Sequence, residues 1–86
     1  MNNKNVTKLK KIIIDMFIGN ISIEEFDENI PLVEYGVGLD SVANMELLLE
    51  IEKQLGVEID ESEINSDILF SFRSLLNYLE KLKVKT

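Results

Sequence analysis

Apolar positions fall at helical spacing in three stretches of the chain. Val6, Leu9, Ile13, Met16 and Phe17 recur at three- and four-residue intervals, with Lys8, Lys10 and Lys11 on other sides. That is the pattern of an amphipathic helix with one face turned to a core. Asn5 is a candidate cap for its start, and Gly19-Asn20 for its stop. The β-branched run Ile12-Ile13-Ile14 taken alone favours a strand, but no second strand pattern lies nearby to pair with it. A second helix is predicted from Asp40 or Ser41 to about Leu55, with Gly56 ending it. On this helix Leu48, Ile51 and Leu55 make a core stripe, Glu46, Glu50, Lys53 and Gln54 a polar side, and Val42, Met45 and Leu49 a third, apolar side. So much apolar surface marks either complete burial or a contact with a partner or ligand. In the last helix Phe72, Leu75, Leu76, Leu79 and Leu82 share a face. Ser71 is its candidate cap, and Lys81, Lys83 and Lys85 lie toward its C-terminal end, where the helix dipole favours cations.

The segments between these helices are less regular. Residues 21–38 read as a long connection with its own apolar residues, among them Ile21, Ile23, Phe26, Ile30 and Tyr35. Ser22 and Glu25 stand at capping-box spacing, which predicts a short helical turn. Pro31 disfavours a helical Ile30 and sets an extended lead into Leu32-Val33. Val57-Glu58-Ile59 reads as a short extended link, and Asp60 with Glu63 predicts a brief third helix around residues 61–66. Together these elements predict an all-α fold, a small four-helix bundle of three long helices and one short one, with a long loop between the first and second. Residues 1–86 are expected to form a single domain with a core over about residues 6–82.

Composition narrows the chemistry. The 86 residues include no cysteine and no histidine, so stability must come from packing rather than from a disulfide or metal staple. The same absence excludes zinc, haem-thiolate and iron-sulfur sites, cysteine nucleophiles, Ser-His-Asp hydrolysis and histidine base catalysis, and points away from an enzyme. The net charge is −7, and residues 12–80 hold every acidic residue against only Lys53 and Arg73. Such a surface repels nucleic acid and anionic membranes and steers basic partners. The longest apolar runs, Ile12-Ile13-Ile14 and Leu47-Leu48-Leu49, are far short of the ~20 residues that span a bilayer. With no signal-peptide pattern at the start, the expectation is a soluble cytoplasmic monomer.

One hydroxyl stands out against this background. The stretch Gly36-Val37-Gly38-Leu39-Asp40-Ser41-Val42 leads from a glycine-bearing loop into the second helix. A serine at a helix start is most often only a cap. Here Asp40 is available as the cap, which leaves the Ser41 hydroxyl free. The glycines permit a tight turn before it, and the helix N-terminus favours a phosphate ester on it. The residues by themselves leave three readings open: a cap, a tether for a phosphodiester-linked group, or a nucleophile that would need Lys53 as its base.

Gly38-Leu39-Asp40-Ser41-Val42, followed by Met45-Glu46-Leu47 and by Glu52, Leu55, Glu58 and Ile59, resembles the acyl and peptidyl carrier protein family over roughly residues 6–82. The resemblance implies that Ser41 is esterified by 4′-phosphopantetheine, delivered from coenzyme A by a magnesium-dependent phosphopantetheinyl transferase, with Asp40 in support. The arm's thiol would carry an acyl or aminoacyl group as a thioester, so that a chain without cysteine borrows its sulfur from the cofactor. It further implies that Glu46, Glu50 and Glu52 meet basic patches on loading, condensing and modifying enzymes, with Val42, Met45 and Leu49 as the apolar part of that contact. Val33, Met45, Ile51, Ile64 and Leu69 are candidate linings for an acyl pocket. The loop over residues 35–40 is longer than in many fatty-acid carriers, and Ala43 and Lys53 stand where those carriers are often acidic. The implied role is therefore a discrete carrier in a fatty-acid, polyketide, nonribosomal-peptide, aminoacyl or lipid-modifying pathway. The alternative is a helical interaction module of the same fold that never receives the arm.

Overall fold

The computed structural model describes residues 3–82. Helix α1, Asn3–Ile13, buries Leu9, Ile12 and Ile13. Burial of the whole isoleucine run overrides its β propensity. Asn5 lies inside α1 rather than at its start, because the helix already begins at Asn3. The chain continues through one wider turn, Ile14–Ile18, in which the Gly19 N–H donates to the Ile14 carbonyl at 2.7 Å. This five-residue reach keeps Ile14 buried while Asp15 faces solvent.

The connection that follows is organised by two tight helical turns, Ile23–Glu25 and Leu32–Tyr35. At the first, the Ser22 hydroxyl donates to Glu25 Oε1 at 3.3 Å, so the two capping residues engage each other rather than the backbone. The second corrects the expectation of an extended Leu32-Val33. Pro31 is itself extended, at φ −55° and ψ 135°, but its ring restricts the residue before it and leaves Leu32 free to turn.

Helix α2, Ser41–Leu55, packs against α1 and has the predicted limits, with Asp40 before it and Gly56 after it. Lys8 Nζ of α1 donates to the Gln54 carbonyl near its end at 3.2 Å. Its buried residues are Leu48, Ile51 and Leu55, as the spacing predicts, together with Leu47. Val42, Met45 and Leu49 remain 66%, 50% and 55% exposed, so the third, apolar side of the helix faces outward.

Beyond Gly56 the predicted short helix over 61–66 contracts to a single tight turn, Glu61–Glu63. Two side-chain bonds explain the contraction. Asp60 Oδ1 accepts from the Ser62 N–H at 3.0 Å, two residues on, rather than from a third-position amide. The Glu63 carboxylate is drawn away to accept from the Tyr78 hydroxyl at 3.0 Å. Burial, and then the Glu63 carboxylate, hold the Tyr78 phenol above its usual pKa of 10.0. The neutral phenol therefore supports the fold up to that pH, and its contribution is lost as pH rises through the raised value.

Helix α3, Phe72–Glu80, opens with a reciprocal capping box. Ser71 Oγ accepts from the Ser74 N–H and Ser74 Oγ from the Ser71 N–H, both at 3.0 Å. The helix ends before Lys81, so Leu82 packs on the core from beyond it, and Lys83 and Lys85 lie outside the described residues. All three α-helices and the connection feed one apolar cluster centred on Leu9, Ile13, Leu32, Leu47, Ile51, Phe72 and Leu75. Phe26 stacks on Tyr35 with centroids 5.7 Å apart and meets Phe72 edge-on at 5.3 Å, which ties the connection to α3. The Leu32 N–H donates to the Phe70 carbonyl at 2.8 Å in the same place. Among the described residues the fold is all-helical with no strand, an arrangement compatible with the carrier-protein type. No helix among them is long and apolar enough to cross a membrane.

Candidate functional site

The approach to Ser41 is a change from buried to exposed chain. The Leu32–Tyr35 turn closes at Gly36, whose φ of 99° and ψ of −3° place it in the left-handed region that favours glycine. A Cβ there would meet Phe17, from the wide turn after α1, at an ordinary contact distance of 3.7 Å, so the constraint on this position is its backbone conformation. Val37, only 1% exposed, anchors the loop in the core, and its N–H donates to the Leu32 carbonyl at 3.1 Å. Gly38, Leu39, Asp40, Ser41 and Val42 then all lie at the surface.

Asp40 takes the capping role. Its Oδ1 accepts from the Val42 N–H at 2.8 Å and from the Ala43 N–H at 3.3 Å, with the backbone extended at φ −126° and ψ 120°. Ser41 follows as the first residue of α2, exposed, and among the described residues nothing hydrogen-bonds to its hydroxyl. It stands at the N-terminal, partially positive end of a helix of 15 residues. An accessible hydroxyl without a competing partner, at the helix end that favours anions, fits a phosphodiester link. It does not fit a nucleophile activated by Lys53. That ammonium belongs three turns further along α2, about 18 Å away at ~1.5 Å per residue.

The surroundings divide the other candidates. Val42, Met45, Glu46 and Leu49 lie on the outward part of α2. Glu46, Glu50 and Leu49 border a groove of about 420 Å³ toward α1, where Asp15 and Met16 form the opposite wall. Glu50 is half-buried, and its Oε1 accepts from Gln54 Nε2 at 2.7 Å. Glu52 stands apart from this face. Its Oε2 accepts from the Ile59 N–H at 2.9 Å in a partly buried setting, so it holds the link after α2 against the helix. Glu52→Ala should therefore destabilise the protein by about 1–2 kcal/mol, read from the urea midpoint, while Glu52→Gln, which keeps an acceptor oxygen, should recover most of that loss.

A second groove, of about 430 Å³, lies beside the Ser41 loop and gathers Val33, Ile64 and Leu69 from the predicted pocket, together with Val37, Gly38, Asn44 and Phe70. Met45 and Ile51 are not part of it. Met45 lies on the outward side of α2, and Ile51, on the same helical face as Asn44 but two turns deeper, is wholly within the core. Asn44 and Phe70 were not indicated by the apolar periodicity. The one local signal for Asn44 is a poor helix former in the opening turns of α2, close in sequence to Gly38. Among the described residues no group of side chains is suited to hold a metal ion.

Residues 12–79 match the family profile described as the phosphopantetheine attachment site. The D-alanyl carrier protein of Listeria monocytogenes serotype 4a is 33% identical over 69 residues, covering 80% of this chain and 78% of the relative. The D-alanyl carrier protein of Enterococcus faecalis is 33% identical over 57 residues, covering 66% of this chain and 72% of the relative. That of Listeria innocua serovar 6a is 33% identical over 69 residues, again covering 80% and 78%. No solved structure gives a significant match. The cofactor is covalently attached 4′-phosphopantetheine, and the work of the protein is carriage rather than catalysis, performed with a transferase and with biosynthetic enzymes. With its profile match running from the last two residues of α1 almost to the end of α3, the chain belongs to the phosphopantetheine-binding carrier protein family.

Proposed function

We propose that Ser41 bears the 4′-phosphopantetheine arm and that the protein carries an aminoacyl group, D-alanyl, as a thioester on the arm's thiol. The observation that supports the site is the exposed Ser41 hydroxyl, left without a partner because Asp40 already caps α2. The cargo reading is supported by the curated relatives, which are named D-alanyl carrier proteins. Bound there, the arm supplies a thiol that this chain lacks. Val42, Met45, Glu46 and Leu49 offer apolar area and negative charge beside the attachment point, with Glu50 at the edge, to enzymes whose docking surfaces are basic. Contacts of this kind give fast, salt-sensitive association, as successive visits to several enzymes require. On this reading residues 1–86 act as one carrier domain. On the same reading the Glu61–Glu63 turn is the counterpart of the short third helix of a carrier-type four-helix bundle, and residues 21–38 are its long loop.

The test is stepwise and read by intact mass. The full chain is first incubated with coenzyme A, magnesium and a broad-specificity phosphopantetheinyl transferase. The product is then offered ATP and D-alanine with a D-alanine-activating ligase or, separately, ATP and a long-chain fatty acid with an acyl-activating enzyme. Gain of one phosphopantetheine followed by one alanyl group is expected. No gain in the first step would leave the interaction-module reading, whereas fatty-acyl loading without alanyl loading would overturn the cargo alone.

A further inference from the structure

We propose that Asn44 is a positioning residue for the modification of Ser41, an inference that rests on Ser41 being the attachment residue. The Asn44 side-chain Oδ1 accepts from the Gly38 N–H at 2.9 Å, and its own backbone N–H donates to the Asp40 carbonyl at 2.9 Å. One residue of α2 thus holds both ends of the segment Gly38-Leu39-Asp40 that delivers Ser41. The segment needs such a tie. Gly38 has φ 93°, a conformation glycine adopts readily but also leaves readily. Leu39 is 72% exposed and gives no anchorage by burial. Among the described residues its remaining tie to the preceding loop is the Leu39 N–H to the Gly36 carbonyl, at a long 3.4 Å. Asp40 points its carboxylate forward into α2 and so fixes the helix end rather than the loop.

The reaction makes position matter. Ser41 Oγ forms a bond to the phosphorus that bears the pantetheine in coenzyme A, and the phosphoanhydride P–O bond breaks. Adenosine 3′,5′-bisphosphate leaves with the electron pair, and the hydroxyl proton passes to a base of the transferase or to water. Attack in line with the leaving oxygen tolerates little displacement of Oγ, so freedom in the preceding segment lowers the rate even when docking is intact. A purely structural role for Asn44 leads to a different expectation. Alanine is the better helix former, so by propensity alone Asn44→Ala should not weaken α2.

The full chain is compared as wild type, Asn44→Ala and Asn44→Asp, with coenzyme A, magnesium and a phosphopantetheinyl transferase, measuring kcat and KM for arm transfer and amide exchange at Gly38 and Ile51. Asn44→Ala is expected to lower kcat about tenfold, the scale of one lost hydrogen bond, with KM changed by less than about twofold. It should also speed exchange at Gly38 but not at Ile51. Asn44→Asp keeps an acceptor oxygen in the same place and should restore most of the rate. Wild-type kcat in Asn44→Ala, unchanged protection of Gly38, or an Asn44→Asp variant as slow as alanine would each overturn the proposal while leaving the Ser41 assignment standing. A wild type that gains no arm would remove both.

Discussion

Ser41→Ala should take phosphopantetheine incorporation to zero while leaving the protein folded. The side chain is exposed and bonded to nothing among the described residues, and Asp40 holds the cap, so the stability change should stay within about 0.5 kcal/mol. Loss of the arm would then be loss of the acceptor and not of the fold. The other serines are poor substitutes. Ser22 and Ser62 donate to the carboxylates of Glu25 and Asp60, and Ser71 and Ser74 are engaged in the capping box of α3. Ser66 is exposed, but it lies in the turn before α3 rather than at the start of an α-helix. Ser66→Ala is therefore the matched control and should be modified like the wild type. Intact mass after transferase treatment, with circular dichroism and a urea curve for each variant, checks both halves. A full mass gain in Ser41→Ala would move the arm elsewhere and remove the basis of the proposed function.

Phe72→Ala should damage the fold more than the loss of any surface hydrogen bond. Phe72 is wholly buried and meets Phe26 edge-on at 5.3 Å, while the Lys10 ammonium lies 5.7 Å from its ring centroid. Emptying such a site costs about 3–5 kcal/mol. Domains of ordinary stability have about 5–15 kcal/mol in all, and small ones lie toward the lower end. The expected result is a shift of the urea transition to much lower concentration, with part of the population unfolded in water. Phe72→Leu, which refills most of the volume, should lose well under half as much. The damage would reach the site through the connection, because Phe26 and the Leu32–Phe70 hydrogen bond hold the base of the Ser41 loop against the start of α3. Amide exchange at Val37 should accordingly rise in Phe72→Ala even where α2 itself survives.

The elements that could be located from the residue pattern are those made by neighbours in the chain. Asp40 caps α2 by bonding to amides two and three residues on, and Gly56 closes it. The Ser71 box at α3 spans three residues. Where a distant group intervened, local spacing misled. The Asp60-to-Glu63 spacing predicted a helix, yet Tyr78, 15 positions on, takes the Glu63 carboxylate and a single turn remains. Glu52 looked like one more acid on a docking face until the link after Gly56 folded back and brought the Ile59 amide to it.

By itself the sequence determined that the chain would be helical, without cysteine or histidine chemistry, acidic along its middle, and equipped with a serine behind an aspartate at the start of its second helix. Each of these follows from residue type or from spacing within a turn or two, where the backbone leaves few alternatives. Only the tertiary structure decided that Val42, Met45 and Leu49 face solvent rather than a core, that Met45 and Ile51 stand outside the groove beside Ser41, and that Asn44 ties Gly38 to α2. These depend on which side of a helix meets a neighbour and on where a loop returns. Both are set by how all the apolar faces of the chain can be buried at once, which no local window contains.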